Sequence, residues 1–152
     1  MNNHLEVILD KKLIRGKQRA RKLALQALYQ WQMSGSELYD IETQFRIANN
    51  MEKVDIDYFC RLLYDIPKEV DLLEDAIVPF LDRPLASLNP IELAMLRIGA
   101  YELIHCPDIP YRVVLDESVT LTKTFGSQDG HRYVNGVLNN LARKIRHVEM
   151  NG

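Results

Sequence analysis

The segment NPIELAMLRIGAYELI, residues 89–104, constrains the fold of this chain more than any other stretch. Asn89 is a favourable helix N-cap, Pro90 suits the first helical position, and Glu92 stands at the third, as in a capping box. Only three side chains of the segment are charged, and they fall on three different sides of a helix. The segment therefore predicts a central helix surrounded by other helices, with Gly99 as a point of close packing.

Helical spacing recurs along nearly the whole chain. In each of the other long segments, apolar residues return every three or four positions, and turn residues separate the segments. Ser36 is a reasonable N-cap for a second helix, Asp55 opens a third, and Pro67 should kink the chain or start a new helix. We therefore expect an all-α fold of about seven helices in two packed helical bundles.

The predicted organisation is a single domain over residues 1–152, a length that suits one folding unit with a real core. Residues 1–14 are expected to form a flexible N-terminal tail. The two helical sub-bundles are expected at about 15–82 and 88–147, divided near the segment DRPLASLN.

Two stretches carry signals that compete with helix formation. YRVVLDESVTLTKTFG, from residue 111, is rich in β-branched residues, and the Asn135–Gly136 pair is a common hairpin turn. Both stretches nevertheless keep apolar residues at helical spacing, and no alternating strand flanks the Asn-Gly pair. We therefore predict a helix for each, with Gly126 ending the first.

The sequence offers little catalytic chemistry. Its four histidines lack cysteine or carboxylate partners at metal-ligand spacing, and it has no glycine-rich phosphate loop, HExxH or GxSxG motif. Asp129 and His131 resemble an acid–base pair only superficially, and a solvated loop is the better interpretation. Cys60 and Cys106 are expected to be reduced, buried thiols of a cytosolic protein, and no stretch suits a membrane span. We expect no catalytic residues, no cofactor and no metal.

Positive charge is concentrated in one short stretch. Residues 11–22 carry seven of the 19 lysines and arginines and no acid, whereas residues 34–82 carry twelve acids against four cations. Like charges one helical turn apart repel, and cations at the start of a helix oppose its dipole. An anionic partner would relieve both effects, and a nucleic acid is the leading candidate. An acidic protein, a membrane surface and an ordinary solvated helix face are the alternatives.

A second candidate surface is the stretch FGSQDGHRYVNG, residues 125–136. It combines a carboxylate, an imidazole, a cation, an aromatic ring and an amide, at Asp129, His131, Arg132, Tyr133 and Asn135. Such groups suit stacking on unpaired bases and hydrogen bonding to base edges. The competing interpretation is that Tyr133 simply belongs to the hydrophobic core.

Four motifs in this order resemble the NusB family of bacterial transcription antitermination factors: RARKLALQALYQWQMS, LNPIELAMLRIGAYEL, IPYRVVLDESVTLTKTFG and HRYVNGVLNNLAR. The resemblance runs from about Arg15 to Arg146. It implies an all-helical fold of two small bundles in a bacterial cytoplasmic protein. It also implies binding of single-stranded boxA RNA as a heterodimer with NusE, a ribosomal small-subunit protein, within an antitermination complex on RNA polymerase. No catalysis and no cofactor are implied.

The resemblance also assigns residues to these partners. It places RNA contacts at Arg15, Lys17, Arg19, Arg21 and Lys22, and again at Asp129, His131, Arg132, Tyr133 and Asn135. It places the NusE-facing surface at positions that include Tyr29 and Glu92. The acidic middle of the chain would repel RNA but could receive a basic ribosomal protein.

Three features depart from the family pattern. The stretch NNHLEVILD has no family counterpart that we can place. Where Glu-Asp-Ser is usual before the last helix, this chain has Gln128, Asp129 and Gly130, and loss of the serine hydroxyl is expected to loosen the loop. Tyr133 stands where phenylalanine is common, which keeps a stacking face and adds a hydroxyl.

Two other functions stay open on sequence alone. NusB-like domains also occur in some ribosomal RNA cytosine methyltransferases, but this chain shows no βαβ pattern and no cofactor loop, so we expect no methyltransferase domain. The other alternative is a protein-only scaffold. One form of it is a homodimer in which the basic end of one copy meets the acidic middle of another and masks the RNA surface.

Overall fold

The computed structural model describes residues 3–127 and 129–152, and within them it contains eight α-helices and no strand. The helices are α1 (Asn3–Ser34), α2 (Leu38–Ala48), α3 (Ile56–Lys68), α4 (Val70–Ile77), α5 (Pro90–His105), α6 (Tyr111–Phe125), α7 (Gly130–Ile145) and α8 (His147–Asn151). Short 3₁₀ turns lie at Val78–Phe80 and Leu85–Ser87. The prediction of an all-α fold is confirmed. None of the described helices combines the length and the apolar character that crossing a membrane requires.

The chain divides into two compact units, residues 1–65 and 66–152. This division lies earlier in the chain than the expected one near residues 82–89. Helix α4 packs against α5 and α7, and therefore the segment around α4 belongs with the second half of the chain.

In the first unit, α1 packs against α2. The helical spacing predicts an apolar stripe on α1 from Ala20 to Trp31. Its members Ala20, Leu23, Ala24, Ala27 and Leu28 are buried, whereas Trp31 is half-buried. Asp55 begins α3 as predicted, because its carboxylate accepts a hydrogen bond from the amide of Tyr58 at 3.0 Å. The prediction for Ser36 is wrong: Glu37 holds the N-cap position of α2, and the Ser36 hydroxyl instead shares a hydrogen bond with the Ser34 hydroxyl at 2.8 Å.

Helix α1 begins well before the basic stretch. Residues 3–14 are helical and continuous with the rest of α1, while Met1 and Asn2 lie outside the described residues. Flexibility of this segment concerns motion and stays a prediction. Six of its apolar side chains are between 47% and 65% exposed: Leu5, Val7, Ile8, Leu9, Leu13 and Ile14. Leu5, Leu9 and Leu13 lie one turn apart, and they continue the side of α1 that is buried from residue 16 onward.

Helix α5 is the centre of the second unit, as predicted. Its whole middle part is buried, and α4, α6 and α7 pack around it. The Asn89 cap is confirmed, since its side-chain oxygen accepts hydrogen bonds from the amides of Ile91 and Glu92. Gly99 is the predicted close contact, because a Cβ there would overlap the side chain of Leu138 in α7. The two stretches with competing strand signals are helices α6 and α7.

Arg146 closes the other end of α5. Its guanidinium donates hydrogen bonds to four backbone carbonyls at 2.9–3.2 Å, those of Glu102, Leu103, Cys106 and Ile109. The carbonyls of Glu102 and Cys106 also accept backbone hydrogen bonds, from the amides of Cys106 and Ile109, so Arg146 adds a second donor there. A cation at this end of the helix also favours the helix dipole. Arg146 also pairs with Glu149 at 3.2 Å, which connects it to α8, a helix that the sequence pattern does not predict.

Candidate nucleic-acid interface

Helix α1 presents three of the predicted RNA contacts to solvent. Arg15, Arg19 and Lys22 are exposed, and Lys17 is half-buried with its ammonium nitrogen 5.2 Å from the centroid of the Tyr58 ring. The stretch from residue 11 to residue 22 contains no acid, so neighbouring turns of the helix add positive charge only. The exposed side of this stretch therefore favours an anionic partner.

Arg21 differs from the other predicted cations. It is only 2% exposed, and its guanidinium lies 5.8 Å from the centroid of the Tyr58 ring. Residue 21 falls on the same side of α1 as the buried Ala24 and Leu28, and not on the side of Lys22. In this conformation Arg21 contributes to the packing of α1 and offers almost no surface to a partner, so its contact with RNA stays a prediction.

An open groove of about 680 Å³ lies beside the basic stretch, within the first unit. Four cations line it, Lys12, Arg15, Arg19 and Lys53, together with the acids Glu52 and Asp55. The Asp55 amide donates a hydrogen bond to the Gly16 carbonyl at 3.1 Å, which holds the loop before α3 against α1. Leu9, Leu13 and Val54 also line the groove, but its charged residues give it a net positive charge, which favours a phosphate-bearing chain.

The second predicted stretch lies at the start of α7, in the second unit. Asp129, Arg132 and Asn135 are exposed, while His131 and Tyr133 are half-buried. Gln128 lies outside the described residues. The exposed side chains supply a carboxylate, a cation and an amide within about two turns of one helix, and these groups can hydrogen-bond to base edges.

The ring of Tyr133 is neither fully buried nor openly exposed. The backbone amide of Asp82 donates a hydrogen bond to its hydroxyl at 3.4 Å, and the guanidinium carbon of Arg83 lies 4.3 Å from the ring centroid. Desolvation raises the pKa of Tyr133. The interpretation of Tyr133 as a simple core residue is therefore wrong, but one face of its ring is already covered by a cation.

Asp82 and Arg83 form an ion pair beside this ring. Nε and Nη2 of Arg83 donate to the two carboxylate oxygens of Asp82 at 2.6 and 3.2 Å. The hydrogen bond from Arg83 lowers the pKa of Asp82, and so the carboxylate stays ionised at neutral pH. Asp82 and Arg83 are neighbours in the chain, but their contact with Tyr133 depends on the fold, and sequence patterns therefore do not reveal it.

The two positions predicted to face NusE differ in exposure. Tyr29 on α1 is half-buried, and Glu92 in the first turn of α5 is only 6% exposed. The Ser127 hydroxyl donates a hydrogen bond to the Glu92 carboxylate at 3.3 Å, and Gly130 packs directly against the same carboxyl group. Tyr29 is thus accessible to a partner protein, whereas Glu92 is held by the turn before α7.

Neither cysteine belongs to a metal site in the described parts of the chain. No three His, Cys, Asp or Glu side chains converge there in an arrangement that could hold a metal ion. Neither cysteine forms a disulfide bond within the described residues, and Cys106 is buried while Cys60 is half-buried. Burial raises the pKa of the Cys60 thiol, which keeps it protonated at neutral pH.

Comparisons with known proteins agree with the motifs. The NusB family model matches residues 18–143. The transcription antitermination protein NusB of Legionella pneumophila (strain Corby) is 66% identical over 142 residues, which cover 93% of this chain and 97% of that protein. Its namesake from Hahella chejuensis is 47% identical over 131 residues, 86% of this chain and 88% of that one. The solved structure of T. maritima NusB matches with a TM-score of 0.72 at 26% identity, over 84% of this chain and 91% of that chain. This chain therefore belongs to the NusB family.

Proposed function

We propose that this protein is a transcription antitermination factor that binds boxA-type single-stranded RNA as a heterodimer with NusE. In this role it couples the RNA to RNA polymerase and catalyses no reaction. Support comes from the relatives, which are named transcription antitermination proteins, and from a surface whose chemistry suits RNA.

The exposed cationic side of α1 is the observation that carries the RNA part of the proposal. Arg15, Arg19 and Lys22 are exposed there, and Lys53 joins the first two in lining the adjacent groove. A polyanion gains free energy on such a surface by releasing counterions. Phosphate contacts position a strand without reading it, so this surface supplies affinity more than specificity.

Base recognition is proposed for the stretch from Asp129 to Asn135. Its exposed carboxylate, guanidinium and amide are the groups that distinguish one base edge from another. We further predict that a single RNA strand contacts both this stretch and the cationic side of α1.

NusE is proposed to contact the protein through a surface that includes Tyr29. The stretch 34–82, with its twelve acids and four cations, would attract a basic ribosomal protein and repel RNA. For Glu92 to contact NusE, its carboxylate would have to leave the hydrogen bond from Ser127 and turn towards the partner.

The proposal is tested by fluorescence anisotropy with a boxA-like RNA and a scrambled RNA of the same length. Titrations at two salt concentrations, each with and without NusE, separate charge from sequence recognition. We expect tighter binding of the boxA-like RNA, a further gain with NusE, and a steep loss of affinity with salt. Equal affinity for the two RNAs, or no response to salt, even with NusE present, rejects the proposal.

A self-associating scaffold is the second candidate function, because the start of α1 exposes apolar side chains. Leu5, Leu9 and Leu13 form one side of this segment, and burial in a second copy would remove them from water. Sedimentation of the protein with and without RNA separates the two functions. Two results together would favour the scaffold. The wild type would stay dimeric and bind no RNA, and the Leu9→Ser, Leu13→Ser double variant would be monomeric.

A further inference from the structure

We propose that Arg83 provides a stacking platform for one unpaired base of the bound RNA. This inference rests on the proposed function and adds a base-binding subsite to it. Three features of the second unit carry it: the contacts that hold the guanidinium, its remaining exposure, and the charge beside it.

The Arg83 guanidinium is held in one orientation. Its central carbon lies 4.3 Å from the centroid of the Tyr133 ring, and two of its nitrogens donate to the Asp82 carboxylate at 2.6 and 3.2 Å. The amide of Asp82 also donates a hydrogen bond to the Tyr133 hydroxyl, which holds the segment around residues 82 and 83 against α7. The plane of the guanidinium is therefore set before RNA arrives, and ordering it costs little further entropy.

The same guanidinium is accessible to a ligand. The Arg83 side chain is 47% exposed and that of Asp82 is 64% exposed. Tyr133 and Asp82 contact part of the guanidinium, and we infer that a base would stack on the part that stays exposed. Guanidinium planes are weakly hydrated, and they stack on the unpaired bases of RNA.

The charge of this cluster favours a base over a phosphate. Asp82 is ionised and lies directly beside Arg83, so an incoming phosphate would meet a carboxylate at the same place. A neutral aromatic base meets no such repulsion, and the cation attracts its π face. The cluster differs in this respect from the stretch 11–22, which contains no acid.

Tyr133 acts as a positioning residue in this arrangement. Its covered face holds the guanidinium and does not itself receive the base. Tyr133→Phe loses the contacts of the hydroxyl with Asp82 but keeps the ring beneath the guanidinium, so it should bind RNA within about twofold of the wild type. Tyr133→Ala releases Arg83 and should weaken binding as much as Arg83→Ala does.

The test uses the full chain with NusE and a boxA-like RNA, in anisotropy titrations at several salt concentrations. Arg83→Ala and Arg83→Lys should each weaken binding about 5- to 150-fold, the range of one lost base stack, with little change in the salt slope. Lys144→Ala removes an exposed cation at the end of α7 and should bind like the wild type. Far-UV circular dichroism confirms that each variant is folded.

A second measurement locates the base, using RNAs that each lack one base. One of these RNAs lacks the base that stacks on Arg83. For that RNA, Arg83→Ala should cause no further loss of affinity, because both changes delete the same contact. Wild-type affinity in Arg83→Lys would overturn the proposal in favour of a phosphate contact. Wild-type affinity in Arg83→Ala would overturn it while leaving boxA binding intact. A wild-type protein with no preference for boxA RNA would overturn both proposals.

Discussion

The carboxyl group of Glu92 fills the space beside Gly130, where a Cβ would lie 2.9 Å from the Glu92 Cδ. The serine that the NusB resemblance implies at this position would displace Glu92 or the hydroxyl of Ser127, which is equally close. The sequence predicts that loss of this serine loosens the turn. That effect stays a prediction. In the structure, the missing Cβ at Gly130 leaves room for the Glu92 carboxyl group and the Ser127 hydroxyl.

Gly130→Ser should move the Glu92 side chain into solvent. Because the displaced atoms are the end of a flexible side chain, the free energy of unfolding should fall by no more than about 1 kcal/mol. A crystal structure of the variant should show Glu92 turned away from residue 130, and the affinity for NusE should change with it. Glu92 left in its wild-type position would contradict this account of the turn.

Gly99→Ala should destabilise the second unit, although alanine is the better helix former. Its Cβ would overlap the Leu138 side chain, and overpacking of this kind costs about 1–3 kcal/mol. Gly136→Ala is the matched control, since nothing lies within 4 Å of its added Cβ, and it should raise stability by up to about 1 kcal/mol. Urea unfolding measures the free energy of unfolding of both variants. An equal change in the two would show that α5 and α7 can move apart at this contact without cost.

Arg146→Lys should lower the free energy of unfolding by about 2–4 kcal/mol. A lysine keeps the charge but lacks the planar fork, and several buried carbonyls at the end of α5 would lose their donor. Arg143→Lys, on the exposed side of α7, is the control and should stay within about 0.5 kcal/mol of the wild type. Thermal unfolding measures both variants. Equal melting temperatures would contradict the role given to the Arg146 guanidinium.

Tyr64 should make the first unit sensitive to alkaline pH. Its hydroxyl donates a hydrogen bond to the Glu42 carboxylate at 2.6 Å, which raises the pKa of Tyr64 from 10.0 to about 12. Because the folded pKa is the higher one, this stabilisation is complete below pH 10 and disappears as the pH rises towards 12.

Tyr64→Phe therefore should cost about 1 kcal/mol at pH 7. Denaturant unfolding at pH 7–11 should show the difference between wild type and variant shrinking above pH 10. A difference that stays constant to pH 11 would mean that the Tyr64–Glu42 hydrogen bond does not control this titration.

Arg19→Ala should weaken a boxA-like and a scrambled RNA alike, because a phosphate contact carries no sequence information. The slope of log affinity against log salt should fall by about 1 for the lost contact. Tyr133→Ala should mainly weaken the boxA-like RNA, by about 1–3 kcal/mol. Anisotropy titrations measure the affinity of both variants for both RNAs. A change in sequence preference in Arg19→Ala would contradict the proposal that α1 contacts phosphates while residues 129–135 recognise bases.

Local signals were sufficient to predict most of the fold. The Asn89 cap, the apolar segment after it and the close contact at Gly99 all follow from side-chain chemistry within a few residues. Ser36 shows the limit of this reasoning, because its hydroxyl satisfies Ser34 and leaves the cap of α2 to Glu37. The boundary between the units depends on how α4 packs, which no local pattern encodes.

The candidate interface was only partly predictable. The positive charge of residues 11–22 follows from the sequence alone, yet Arg21 within this stretch is buried, since charge counts do not report which side of a helix packs inward. Arg83 lies 50 residues before Tyr133 in the chain, so their contact depends on tertiary structure that sequence spacing cannot supply.

The central claim is that one RNA strand contacts both the cationic side of α1 and the stretch from Asp129 to Asn135. The most direct measurement is photo-crosslinking of a short boxA-like RNA to the NusE-bound protein, followed by peptide mapping. The account predicts crosslinked peptides from both stretches with a single RNA species. Crosslinks from only one of them, or from α2 or α3 in the acidic stretch, would contradict it.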